Sequence, residues 1–164
     1  MNEYIRNIKI SVHLDKNICT PVKSRQKIMK RVKGLHIIIY IHTPNLANLT
    51  GIRTMEDIPK CIQIVENLFS VKSINYEINC IMLSVKSRKT VKLQSIKDLL
   101  PQEYQFDYNP EIFSGAFLKY RIKNNYSTII IFHTGSFQIF SKNLEMMENS
   151  YLLIESIIAQ LSSG

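Results

Sequence analysis

Two phenylalanines have a type and spacing that suggest a definite chemistry. They are Phe113, in Tyr108-Asn109-Pro110-Glu111-Ile112-Phe113-Ser114-Gly115, and Phe132, in Ile130-Ile131-Phe132-His133-Thr134-Gly135. Both stand near the ends of two segments that read as strands, Phe113–Ile122 and Ile129–Phe132, paired through a turn at 123–127. Lys119 and Arg121 share the strand parity of Phe113, and Phe117 does too. Paired rings beside cationic strand residues can wedge into stacked bases in a minor groove, while the cations hold the sugar-phosphate rim. The competing reading is an ordinary aromatic core. No other motif offers chemistry. Cys19, Cys61 and Cys80 are odd in number and lack C-x-x-C spacing, and His13, His36, His42 and His133 form no H-x-x-x-H pair. No metal, no cofactor and no catalysis are expected, and the thiols fit a reducing compartment.

Around these residues the chain must supply a positioning frame. Its 164 residues suffice for one good core or for two small units sharing a sheet. The net charge of +8 is unevenly placed: residues 1–73 carry 12 basic and 5 acidic side chains, residues 74–164 carry 9 and 8. Such a field favours a polyanionic partner and speeds encounter with it, although a solvated basic surface gives the same count. No signal peptide opens the sequence and no apolar run reaches the roughly 18 residues of a membrane span, so a soluble intracellular protein with no membrane partner is expected.

Periodicity orders the elements. Ile8, Ile10, Val12 and Leu14 alternate with Asn7, Lys9, Ser11 and His13, a strand with one buried face. Gln26–Val32 reads as strand or short helix, inside a basic cluster from Lys23 to Lys33. Strands follow at Leu35–Ile41 and Leu46–Thr50. Thr54, three residues before Asp57, reads as the N-cap of a helix with Ile58, Ile62, Val65, Leu68 and Phe69 on its apolar stripe, ending near Val71. A second round has a strand at Ile78–Lys86, basic Lys86, Arg88, Lys89 and Lys92, a short helix at Ser95–Leu100, the two strands already named, and a strand at Phe137–Phe140. A final helix is capped by Asn143 and buries Leu144, Met147, Tyr151, Ile154, Ile158 and Leu161. Both rounds run strand, connection, strands, long helix, and Ile39-Tyr40-Ile41-His42-Thr43-Pro44 parallels Ile130-Ile131-Phe132-His133-Thr134-Gly135. This reads as a diverged internal duplication, 1–73 and 74–164. Two such halves could join into one antiparallel sheet with both long helices on one face and the other face wet.

Here the chain resembles the C-terminal core of the TATA-binding protein family. The resemblance rests on Tyr108-x-Pro110-Glu111-x-Phe113-x-Gly115, on Phe132 in its aliphatic–Phe–x–x–Gly turn, on Asn7 and Asn79 near the start of each half, and on Thr50-Gly51. It is strongest over 108–161 and weakest over 15–35. It implies an α+β saddle of two pseudo-symmetric repeats, whose continuous curved sheet exposes a concave face and carries two long helices on its convex face. It also implies a transcription initiation factor that binds and bends A·T-rich double-stranded DNA as a monomer and recruits general transcription factors or RNA polymerase subunits. Such a factor would work in the nucleus, or at a cytoplasmic replication site if viral; the short first half and the Ile-Asn-Lys-rich composition suit a viral or parasite version.

By the same resemblance Phe113 and Phe132 intercalate, with Ile41 in the corresponding place of the first half or, with a one-residue shift, His42. Asn7, Asn79, Ile81, Asn48, Thr50, Gln138 and Phe140 would meet bases. Lys9, Lys119, Arg121, Lys86 and Arg88 would meet phosphates, and Glu111 a protein partner. Asn7 and Asn79 have a plainer reading as hydrogen-bonding guards of strand starts. Lys9, Asn48, Gln138 and Phe140 depart from the family's small aliphatic groove floor and from its threonine, which predicts a wetter, more salt-sensitive contact. Two other functions fit the same frame: a nucleic-acid clamp without sequence preference, and a protein-interaction scaffold that has lost DNA binding.

Overall fold

The alternation of buried isoleucine with polar residues along the first strand sets the frame of the first compact unit, Ile5–Cys80. The structure, a computed structural model, describes residues 1–18, 26–32 and 34–162; Cys19 and, from the basic cluster, Lys23, Arg25 and Lys33 lie outside the described residues. In this unit β1 (Ile5–Leu14), β2 (Gln26–Val32), β3 (Leu35–Thr43) and β4 (Leu46–Ile52) form an antiparallel sheet in the order β2-β3-β4-β1. The ambiguous segment Gln26–Val32 is therefore a strand, fixed by its pairing with β3 from Gln26 opposite Ile41 to Val32 opposite Leu35. Ile8, Ile10, Val12, Ile37, Ile39, Ile41, Ala47 and Leu49 turn one way and are buried. Helix α1 (Ile58–Phe69) supplies Ile58, Cys61, Ile62 and Val65 to the same core. Each fully buried isoleucine contributes about 1.5–3 kcal/mol of transfer free energy.

The entrance to α1 follows its sequence signals. Thr54 Oγ1 accepts the Asp57 N–H at 3.2 Å, so it caps a 3₁₀ turn at Met55–Asp57 that leads into the helix, and Pro59 falls in the first helical turn, where no backbone donor is missed. Ser70 closes the helix in the left-handed region, and Glu66 Oε2 accepts the Ser73 N–H at 2.9 Å, aiming the chain into β5 (Ser73–Val85). Up to Cys80, β5 belongs to this unit and lies beside β1.

The second unit comprises Met1–Tyr4 and the chain from Ile81 onward. Its strands are the end of β5, β6 (Gln105–Asp107), β7 (Ala116–Ile122), β8 (Asn125–Ile131) and β9 (Phe137–Ser141), ordered β5-β9-β8-β7-β6 and antiparallel. Ile81, Leu83, Leu118, Ile129, Ile131, Phe137 and Ile139 are buried, as are Met147, Ile154, Ile157 and Ile158 of α2 (Leu144–Ser162). Asn143 Oδ1 caps α2 by accepting the Met146 N–H at 3.0 Å. Ser150 Oγ lies 2.8 Å from Ser127 Oγ and 3.1 Å from the Tyr104 hydroxyl, a buried polar relay between helix, sheet and loop. Burial raises the Tyr104 pKa above the ordinary tyrosine value, and the Ser150 hydrogen bond partly offsets that.

Three local expectations give way. Ser95–Leu100 is no α-helix but two 3₁₀ turns, Leu93–Ser95 and Lys97–Leu99; so short a segment cannot repay helix nucleation, and Leu100 is already extended ahead of Pro101. The turn between β7 and β8 is only Lys123-Asn124, with Lys123 at φ +53°, so β8 begins at Asn125. Strand β7 starts at Ala116, because Asn109 O accepts the N–H groups of Ile112 and Phe113, both at 3.0 Å, and holds them in a turn.

Candidate nucleic-acid interface

In the second unit the sheet face turned away from α2 carries Met82, Gln138, Phe140, Thr128, Ile130, Phe117, Lys119 and Arg121, the residues between the buried positions of each strand. At one end of this face three rings cluster. Phe113 lies 5.0 Å from Phe117 and 6.0 Å from Phe132 between centroids, the latter edge-on, and Phe113 is 39% exposed. Gly115 makes room beneath them: a Cβ there would lie 2.8 Å from the Phe113 ring, 3.0 Å from Ile130 Cγ2 and 3.2 Å from the Phe132 ring. Gly115→Ala should therefore move the rings rather than the backbone, costing about 1 kcal/mol, at the low end of overpacking. Ring-proton chemical shifts of Phe113 and Phe132 should change while the thermal midpoint moves by only a few degrees.

The Phe132 turn is tied down from both sides. Phe132 N–H donates to Ser136 O and Gly135 N–H to Phe132 O, each at 2.9 Å. Gly135 sits at φ +80°, where a Cβ would meet Lys89 O at 2.4 Å. Ser136 Oγ accepts the Ser87 N–H at 2.9 Å and donates to Ser87 O at 3.1 Å, and Val91 N–H reaches His133 O at 2.8 Å. This stitching brings Lys86 and Arg88 to a hollow of about 560 Å³ that they line with Phe132 and Gln138. Lys119 and Arg121 line another, of about 510 Å³, with Gln105, Tyr126 and Thr128. Among the described residues, no ion pair engages Lys9, Lys86, Arg88, Lys119 or Arg121. Beyond Phe113 the loop tip presents exposed Glu111, whose N–H is held by Asn109 Oδ1 at 3.2 Å, and Ile112, which is 81% exposed.

The first unit offers a different face. Asn7 Oδ1 accepts the Gly51 N–H at 2.7 Å, and its Nδ2 donates to Thr50 Oγ1 at 2.9 Å. Asn7 thus performs the strand-guarding task that sequence allowed as its plainer role. Ser11 Oγ donates to Asn48 Oδ1 at 2.5 Å and accepts from Asn79 Nδ2 at 2.7 Å. Lys9 is exposed beside them, and His13 Nε2 lies 3.5 Å from Glu77 Oε1.

Two expected contact residues are placed otherwise. Ile41 and Ile81 have no exposed surface and belong to the cores under α1 and α2, so neither can reach a base in this conformation. The cause in each case is a one-residue register slip, which moves a side chain to the opposite sheet face. Ile41 lies opposite Ala47 as Ile131 lies opposite Phe137, which makes His42 the counterpart of Phe132. Ile10 pairs Leu49 as Leu83 pairs Ile139, which makes Met82 the counterpart of Lys9. Met82 and Ile130 lie on the same open face without having been singled out by the sequence, although the alternation of Leu83 and Val85, carried back two residues, already points Met82 outward.

Among the described residues no group of His, Cys, Asp and Glu could hold a metal, and no helix is long and apolar enough to cross a membrane. Cys61 is fully buried, and burial, with Asp57 nearby, pushes its thiol to about 11, far from a thiolate nucleophile.

The chain shares its fold with the solved structure of the TBP of Methanococcus jannaschii: TM-score 0.65 at 18% identity, over 95% of this chain and 97% of that one. The expected class, an α+β fold of two pseudo-symmetric repeats with antiparallel strands and a long helix in each, is the fold observed. No curated protein matches the chain by sequence. The family model described as transcription factor TFIID, or TATA-binding protein, matches residues 75–162, more than half of the chain. The chain belongs to the TATA-binding protein family.

Proposed function

We propose that this protein is a non-catalytic transcription factor that binds A·T-rich double-stranded DNA in the minor groove and bends it. The observation that supports this most is the ring cluster of Phe113, Phe117 and Phe132 on a sheet face that α2 leaves bare, with Lys86 and Arg88 in a hollow beside Phe132 and with Lys119 and Arg121 farther along β7 on the same face. Phe113 and Phe132 act as the wedge. Unstacking a base step costs a few kcal/mol, offset by the contact that a bent duplex gains. Gln138 and Phe140, with Met82 and Ile130, form the groove floor of the second unit; Asn48, Thr50, Asn7 and Asn79 form that of the first. Lys9 joins the other cations as a phosphate contact. Glu111 and the exposed Ile112 form a tip for a general transcription factor or polymerase subunit.

The test is end-to-end energy transfer on a labelled A·T-rich duplex of about two helical turns. Binding with a rise in transfer supports the reading, and binding without it leaves a clamp that does not bend DNA. Lys119→Ala should weaken binding to all sequences alike and reduce the slope of log K against log salt by about one. That slope is measured by fluorescence anisotropy over a salt series.

A further inference from the structure

The two units place different chemistry on one strand frame. Registers equate Ser11 with Ser84 and Asn48 with Gln138, because Ser11 pairs Asn48 as Ser84 pairs Gln138. Around that shared pair the neighbours diverge. Tyr40 pairs Asn48 where Ile130 pairs Gln138, and Ile38 pairs Thr50 where Thr128 pairs Phe140. Lys9 stands where the second unit has Met82. The polar pair of the second unit is thus bordered by Met82, Ile130 and Phe140, and that of the first by Lys9, Tyr40 and Thr50. In the first unit the polar groups are also linked: Asn79 Nδ2 to Ser11 Oγ, Ser11 Oγ to Asn48 Oδ1, and Asn7 to both Thr50 and Gly51.

In the minor groove a G·C pair differs from an A·T pair chiefly by the guanine 2-amino group, a donor on the groove floor. Against an apolar floor that donor loses water and gains nothing, which is costly. Against an amide oxygen it is satisfied, at the lowest cost where that oxygen is already held as an acceptor. Gln138 offers an amide oxygen too, but among the described residues no hydrogen bond orients it, and turning it to a guanine costs side-chain freedom. Ser11 fixes the Asn48 amide with Oδ1 as acceptor, and an amide oxygen has two lone pairs, of which the Ser11 hydroxyl takes one. Ser11 is only 7% exposed, so a base meets the chain at its ends, and of the two end amides Asn48 is the one whose oxygen Ser11 holds as an acceptor, while Asn79 is held through its Nδ2.

We infer that the first unit accepts G·C pairs, with Asn48 Oδ1 taking the guanine 2-amino hydrogen, whereas the second unit, with an unheld Gln138 amide among Met82, Ile130 and Phe140, prefers A·T. The DNA site is then chemically asymmetric: A·T-rich beneath the phenylalanines and tolerant of guanine beneath the first unit. This rests on the minor-groove reading and deepens it by assigning a specificity to each half.

The experiment compares the full chain on four duplexes by anisotropy at one salt concentration: all A·T; G·C in one half only; G·C in both halves; and inosine·cytosine in both halves, which removes the 2-amino group and leaves the rest of the groove edge. The expected result is binding of the one-half G·C duplex within about threefold of all A·T, a loss of at least about thirtyfold with G·C in both halves, and recovery with inosine. Asn48→Val should raise the penalty for one-half G·C relative to all A·T by about tenfold, consistent with the usual cost of one wrong base pair. A one-half penalty that is already large, or one unchanged by Asn48→Val, overturns the inference while the minor-groove reading stands. Failure to bind the all-A·T duplex overturns both.

Discussion

Replacing Phe113 and Phe132 together by alanine is expected to return a bound A·T-rich duplex to nearly the end-to-end distance of the free DNA. Each ring stacked on a base contributes roughly 1–3 kcal/mol by the measure of alanine substitution. Loss of both therefore weakens binding on the order of a hundredfold or more. The fold should survive, because Phe113 is 39% exposed, stands before β7 rather than in it, and is not among the buried core side chains. Were these rings core residues, the same double substitution would appear mainly as lost stability, since burying a phenylalanine and then removing it costs about 3–5 kcal/mol. A denaturation curve and a transfer measurement on one sample separate the two cases. An unchanged bend rejects the wedge.

The second large effect concerns the frame. Gly51→Ala should lower stability by about 3 kcal/mol or more, a large part of the ~5–15 kcal/mol that holds a domain. Register passes from Ile8 opposite Ile52 to Ile10 opposite Leu49, so Thr50 and Gly51 together oppose Lys9 in a β-bulge. Gly51 has φ +97°, and a Cβ would fall 2.2 Å from the backbone oxygen of His36, which cannot swing aside. Gly34→Ala is the control: φ there is +84° with nothing within 4 Å of the added carbon, so it should cost only about 1 kcal/mol for the conformation itself. Urea midpoints at unchanged m-value measure the difference, which isolates the clash.

What the sequence revealed depended on how each residue signals its surroundings. Alternation exposed β1 because isoleucine recurs at every second position, and the Thr54 and Asn143 caps were readable because their oxygens act on the next three residues. The Phe113 motif was readable because proline, glycine and two aromatics within eight residues leave few conformations. Strand β6 was missed because three residues cannot show a period. The faces of Ile41 and Ile81 were misassigned because one residue of register separates groove from core, and only hydrogen-bonded pairing fixes that residue. The Asn48–Ser11–Asn79 chain joins positions 11, 48 and 79, so no local window contains it.

The first four residues pack with the last helix, not with the strand they precede. Tyr4 approaches Tyr151 at 6.0 Å between ring centroids, and Met1–Tyr4 group with the unit built mainly from Ile81 onward. The seat of this segment is built from residues far along the chain, so its docking waits on α2 and not on the adjoining β1.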